Sequence, residues 1–323
     1  MKRKLILTAA LLCVTLCVPL SVFSQNRDFE MNGTVLVKYN GSARQVTIPS
    51  GVTSIAESAF YLNFGITSIT IPSSVTSIDE KAFVSCVSLA NITVDNQNSA
   101  YSSVDGILFN KNRTVIVQYP MAKQGTSYTI PSSVTSIGVG AFATRNLTSI
   151  TIPSSVTSIG EQAFSSGSLT SITVDNQNSA YSSVDGILFN KNRTVIVKYP
   201  ASKQGTSYTI PSSVTSIWTS AFSSCKNLTS ITIPSSVTSI GYSAFHSCEK
   251  LTSITIPSSV TSIGNDAFVF CSSLTSITIP SSVTSIGNNA FSMCNNLTSV
   301  TISRRTTIGR NAFPDTARIT YSD

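Results

Sequence analysis

Residues 228–250 read LTSITIPSSVTSIGYSAFHSCEK, and residues 251–273 repeat the pattern as LTSITIPSSVTSIGNDAFVFCSS. The unit starts again at Leu274 and Leu297 at an unchanged spacing, and looser copies start at Ile66, Leu89, Leu147 and Leu169. A period of about 23 residues marks a stacked-repeat architecture: one unit is too small to bury its own apolar side chains, so it covers its neighbour instead. Ile231 and Ile233 are two apart, so both face one side of a short strand while Thr232 faces the other. β-branched Thr and Ile suit a pleated surface. Pro234 ends the strand because it has no ladder donor. Val237 and Ile240 turn inward next, and Gly241 permits a tight bend. Ala244-Phe245 then opens a short helical or irregular return, which Cys248 and Leu251 close.

Eleven strand-like segments are visible, ending at Ile48, Ile71, Val94, Ile130, Ile152, Val174, Ile210, Ile233, Ile256, Ile279 and Ile302. The expected fold is an α/β repeat: a curved leucine-rich-repeat-like solenoid of about eleven rungs, each of roughly 22–23 residues, with a parallel β-sheet on one face. Its interior should hold one column of rings, Phe60, Phe83, Phe142, Phe164, Phe222, Phe245, Phe268, Phe291 and Phe313.

Two units break the period. After Val94 and Val174 the next strands end only at Ile130 and Ile210. Residues 95–127 and 175–207 lack the Ala-Phe pair and carry VDGILF, a polar NKN and RTVIV instead, which reads as an inserted β-hairpin. Residues 92–137 and 172–217 match except at 118, 121 and 122, so a super-repeat much longer than one rung is present. A related hairpin at residues 33–48 should cap the first rung, within an N-terminal cap over 25–48. Residues 303–323 should cap the last, with residues 317–321 as a covering strand.

Lys2, Arg3 and Lys4 followed by an apolar run from Leu5 to Val18 read as a secretory signal over residues 1–24. Lipidation at Cys13 or Cys17 is the weaker reading, since a bulky Leu lies ahead of each. Cleavage removes three of the 21 Lys and Arg and none of the 14 Asp and Glu, so the formal charge falls from +7 by three. The remaining charge does not point to nucleic acid. No second apolar stretch is long enough for a membrane span, and the C-terminal residues contain no sorting motif. One solenoid over residues 25–323, extracytoplasmic and either secreted or at the surface of a bacterium, is the expected organisation.

The units ITIPSSVTSIGxxAFxxC, the hairpin VDGILFNKNRTVIVKYP and the opening Gly33-Thr34-Val35-Leu36-Val37-Lys38-Tyr39 resemble the BspA-like leucine-rich-repeat family, also called the Treponema pallidum type. The resemblance covers the chain from about residue 29 onward. It implies a surface or secreted protein that mediates protein–protein interaction: adhesion to host extracellular-matrix proteins, host cells or other bacteria. The family brings no catalytic residues and no cofactor. The competing reading is a structural, self-associating envelope or matrix protein.

Three sets of residues are candidates for chemistry. Cys225, Cys248, Cys271 and Cys294 recur at the repeat period. Metal binding and disulfides compete there with a buried ladder of small apolar thiols, and the ladder is preferred because other units carry non-ligands at that position. Columns of hydroxyls, Thr229, Ser230 and Thr232, then Thr252, Ser253 and Thr255, then Thr275, Ser276 and Thr278, form a candidate ligand-binding face. The hairpins should protrude and add Tyr101, Lys111, Arg113 and Tyr119, and their counterparts Tyr181, Lys191, Arg193 and Tyr199. The Asp95-Asn96-Asn98 cluster reads as a turn rather than a Ca²⁺ loop. The single histidine, His246, offers nothing for a nucleophile to pair with, so no enzymatic activity is expected.

Overall fold

The computed structural model describes residues 27–322, so the secretory leader expected at residues 1–24 lies outside it. Each rung has three sides, and neighbouring rungs are hydrogen-bonded along all three except where the front sheet is interrupted. On the first side, front strands such as Ser230–Thr232 and Ser253–Thr255 pair in parallel, with Ile231 level with Ile254. On the second, two-residue strands such as Ser239–Ile240 and Ser262–Ile263 pair in the same sense. The residue after this strand comes so close to the rung below that a Cβ on Gly264 would sit 2.7 Å from the carbonyl carbon of Gly241. The glycine therefore serves close stacking rather than the bend alone.

The third side corrects the expected fold class. The described residues contain strands and turns but no helix, so the chain is a β-solenoid and not an α/β repeat. The backbone explains why. Ser243 and Ser247 have φ of 50° and 57°, and the same left-handed pair recurs at Ser220 and Ser224, Asp266 and Phe270, and Asn289 and Met293. A left-handed residue every fourth position cannot propagate a right-handed helix. The amides alternate instead. Ala244, His246 and Cys248 donate to the carbonyls three residues back, whereas Ser243, Phe245 and Ser247 donate across to Asn265, Ala267 and Val269 at 2.7–3.0 Å.

The rung count is also corrected. The chain makes about thirteen turns rather than eleven. The hairpin Phe29–Asn32 with Val35–Tyr39 adds a turn below the first rung, and Arg318–Ser322 pairs in parallel with Ser299–Ser303 as a covering strand. Gln45–Thr47, expected in the N-terminal hairpin, is a front strand paired with Ser68–Ile71.

The ring column runs in three segments, with centroids 4.8–5.7 Å apart: Tyr39-Phe60-Phe83, Tyr119-Phe142-Phe164, and Tyr199-Phe222-Phe245-Phe268-Phe291-Phe313. It breaks where the long units lie. There the chain forms a three-stranded antiparallel meander, Tyr101–Val104, Ile107–Asn110 and Val115–Gln118, repeated as Tyr181–Val184, Ile187–Asn190 and Val195–Lys198. The expected hairpin is thus one strand short, because Asp105-Gly106 (φ 49° and 77°) makes a tight turn of its own.

The meander does not protrude. Its middle strand is buried on both faces. Leu108 packs into the core below, whereas Ile107 and Phe109 pack into the core above. Leu188, Ile187 and Phe189 repeat the division. Two septa therefore split the interior into three hydrophobic cores.

Candidate ligand-binding surface

Three or four of the Ser and Thr hydroxyls in each of the units 228–250 and 251–273 are committed inward. Ser236, Ser259 and Ser282 donate to the carbonyls of Val214, Val237 and Val260 in the rung below at 2.6–2.9 Å. Thr229 and Thr252 do the same to Thr206 and Thr229, at 3.0 and 3.1 Å. The serine protons satisfy valine carbonyls at the rung corners, whereas the threonine protons add to the backbone amides that the Thr206 and Thr229 carbonyls already accept. Of the nine candidate face residues, Thr229 and Ser230 are half-buried, while Thr232, Thr252, Ser253, Thr255, Thr275, Ser276 and Thr278 are exposed. Thr232, Thr255 and Thr278 point outward from the front strands and form an uncharged hydroxyl column. The ladder is interrupted between Ser253–Thr255 and Ser276–Thr278.

The meander residues divide differently from expectation. Tyr119 and Tyr199 are 1% and 2% exposed and begin ring columns, so they are interior residues and not contacts. Their spacing is the signal that sequence reasoning missed: each stands one repeat period before the next ring, Phe142 or Phe222. Tyr101 is half-buried, and its hydroxyl accepts the Ile78 amide at 2.9 Å, standing in for a missing strand; Tyr181 has the equivalent bond with Ile159. Lys111 and Lys191 are exposed, but their ammonium groups cap the carbonyls of Asn96 and Asn98, and of Asn176 and Asn178. Arg113 and Arg193 are exposed, and neither forms an ion pair among the described residues. They hold positive φ of 56° and 55° at the meander's second turn.

Asn98 shows what the Asx cluster does. It is wholly buried; its amide donates to the carbonyls of Pro72 and Val75, and its oxygen accepts the amides of Ala100 and Tyr101, all at 2.8–2.9 Å. Asp95 accepts the Gln97 amide at 2.8 Å, an Asx turn. Among the described residues no group of three or more His, Cys, Asp or Glu side chains is placed to hold a metal ion.

All five described cysteines, Cys86 included, are buried and free. Cys248, Cys271 and Cys294 donate to the carbonyls of Phe222, Phe245 and Phe268 at 3.1–3.2 Å. Cys225 reaches the Tyr199 carbonyl only at 3.9 Å. Burial pushes Cys86 up to about 12 and Cys225 and Cys248 well above the ordinary thiol value. His246 is half-buried, with Nδ1 2.9 Å from Ser247 Oγ, and burial lowers its pKa.

The described residues contain no helix long and apolar enough to cross a membrane. A comparison with curated proteins found no match. Among solved structures, the chain is similar to a leucine-rich cell-surface protein from Faecalibacterium prausnitzii A2-165: 28% identity, 91% of this chain and 93% of that one, TM-score 0.57. It is also similar to a leucine-rich-repeat protein from Eubacterium ventriosum ATCC 27560, at 27% identity over 90% of each chain with a TM-score of 0.54. The pneumococcal vaccine antigen PcpA shares the fold at 22% identity, over 91% of this chain and 85% of that one, TM-score 0.56. The profile of the BspA-type leucine-rich repeat region matches six copies, over residues 38–119, 119–196 and 198–320. With the stacked rungs and columns described above, that coverage makes the chain a member of the BspA-type leucine-rich repeat family.

Proposed function

We propose that this protein is secreted or held at a bacterial surface, where it mediates protein–protein interaction by adhesion to host extracellular-matrix proteins, host cells or other bacteria. The observation that carries the reading is the front face. Its exposed Thr232, Thr255 and Thr278 form an array of hydroxyls on two adjoining front sheets already fastened from within, so the array is available to a partner at little ordering cost. The cell-surface description of the F. prausnitzii protein points the same way. Binding of residues 25–323 to immobilised matrix proteins tests it. Saturable binding, weakened by Thr232→Lys, Thr255→Lys and Thr278→Lys together, is the expected result. No saturable binding, with oligomers that grow with concentration, would support a self-associating structural protein instead.

A further inference from the structure

Each septum leaves a gap in the front sheet. Asn91–Val94 ends one sheet and Ser127–Thr129 begins the next, and Ser171–Val174 and Ser207–Thr209 are separated in the same way. The lower lip of each gap is already closed. The Ile92 and Ile172 amides donate to the carbonyls of Gly106 and Gly186 at 2.9 Å, and the Val94 and Val174 amides to Ser103 and Ser183 Oγ at 3.0 and 2.9 Å. The upper lip is open, since Ser127–Thr129 and Ser207–Thr209 each pair with a strand on one side only.

Below each open edge lies a cleft of about 300 Å³. Ile107 and Phe109 face it from the septum, Tyr128 and Thr129 from the edge strand, and Asp105 and Arg113 flank it. Ile187, Phe189, Tyr208, Thr209, Asp185 and Arg193 repeat the arrangement in the second copy. The volume lies at the lower end of the range for small-ligand pockets, enough for one large side chain. At the second cleft Asp185 is paired with Lys203 at 2.9 Å, whereas Arg193 has no anionic partner among the described residues; at the first, neither Asp105 nor Arg113 forms an ion pair among them, and Lys123 lies on the Asp105 backbone carbonyl. Burial pushes the Tyr128 and Tyr208 phenols up to about 12, so both stay protonated as hydrogen-bond donors.

We infer that the two clefts are twin docking sites for an extended peptide segment of a partner protein: its backbone pairs with the open edge of Ser127–Thr129 or Ser207–Thr209, an aromatic or large apolar side chain fills the cleft, and an adjacent acidic residue meets Arg113 or Arg193. Strand addition to an exposed edge, with a side-chain pocket setting specificity, is an established recognition mode. An unpaired guanidinium favours a carboxylate over other groups. This inference deepens the proposed adhesive function by naming its partner chemistry.

The test is calorimetric titration of residues 25–323 with a capped peptide of alternating threonine and valine that carries one Phe-Glu pair. The expected stoichiometry is one peptide for each of the two clefts, falling to one site with Thr209→Trp and to none with Thr129→Trp and Thr209→Trp together. Lysine in place of the glutamate should weaken binding about tenfold, and Arg113→Glu with Arg193→Glu should reverse that preference. Melting curves establish that each variant is folded. No binding to the folded wild-type chain, an unchanged stoichiometry in the tryptophan variants, or indifference to the glutamate would overturn the inference. Matrix-protein binding measured in parallel separates the two readings. Matrix binding without peptide binding sinks the clefts alone, whereas peptide binding without matrix binding sinks the adhesive reading alone.

Discussion

Leu108 and Phe109 are consecutive residues of one strand, yet their side chains belong to different hydrophobic cores. The alternation of a β-strand makes this possible when both faces are covered. It follows that adjacent truncations should act on different parts of the molecule. Leu108→Ala should lower hydrogen-exchange protection mainly in residues 29–94, and Phe109→Ala mainly in residues 128–172, at costs of about 2–5 and 3–5 kcal/mol. Equal loss on both sides from either variant would show that the septum does not separate the cores.

Phe268 sits between Phe245 and Phe291, at 5.0 and 4.8 Å, and is wholly buried. Phe313 ends the column and is only partly buried. Phe268→Ala should cost about 3–5 kcal/mol and Phe313→Ala distinctly less, since truncation at an end can be met by water and local relaxation. Denaturant melts of the two variants give the comparison.

Replacing Asn98 or Asn178 with Ala removes four hydrogen bonds made by a wholly buried side chain and strands one carbonyl and two amides, since the Pro72 and Pro153 carbonyls keep the amides of Val75 and Val156. The expected loss is about 3 kcal/mol or more for each. Asn98→Asp should not rescue it, because the second carboxylate oxygen would face the carbonyls of Pro72 and Val75. Added Ca²⁺ should leave the wild-type melting temperature unchanged.

Lys198 is buried, with its ammonium group donating to the carbonyls of Ser220 and Ser223 at 3.0 and 3.3 Å. Burial lowers its pKa, so the unfolded chain binds the proton more tightly than the folded one. The cost is therefore full below the folded pKa and fades as the pH rises from there toward the ordinary lysine range. Lys198→Gln, the residue that position 118 carries in the other copy, should stabilise the fold by an amount of order 1 kcal/mol at pH 7. That gain should shrink at alkaline pH. The buried tyrosines are common to both chains and cancel in the difference, whereas Cys225 loses the lowering effect of Lys198 in the variant, which shrinks the gain further at alkaline pH.

The thiols should not react with a thiol reagent at pH 8 in the folded state, and all five should react after denaturation. Burial raises the folded pKa values of Cys86, Cys225 and Cys248, so ionisation favours the unfolded chain once the pH passes the unfolded thiol value. Stability should be at its full value below that point and fall as the pH climbs beyond it. Rapid labelling of the native chain would contradict the ladder geometry.

The rung interior was legible because apolar residues recur at one period in every unit. The Phe column and the thiol positions needed nothing more. The return side was harder. Ser, Asp or Asn, residues that tolerate the left-handed region, stand before most of the Ala-Phe pairs; Gly140 and Gln162 take the same conformation at that place, and Lys81 is the exception. That run argues against a helix, but its force emerges only once amides are seen to cross between rungs. The meander misled for a different reason. Its polar turn suggested exposure, whereas the three apolar residues of Ile107-Leu108-Phe109 indicated a strand covered on both faces. Asp105-Gly106 marked a further tight turn within it. The committed hydroxyls were not legible, because a threonine that bonds inward and one that faces solvent look alike in sequence.

The septa also bear on how such a chain changes length. Val94 is followed by Asp95, and Val174 by Asp175, inside stretches that read VDNQNSAYSSVDGILFN in both places. Excision of residues 95–174 would join Val94 to Asp175 and recreate a junction the molecule already contains. One bulkhead and the compartment above it would leave together, and the cut surfaces would be the same pair that meet today. A single rung offers no such seam within this region. Crossing-over between the matching stretches would therefore lengthen or shorten the protein by whole compartments, each step adding or removing one cleft with its arginine.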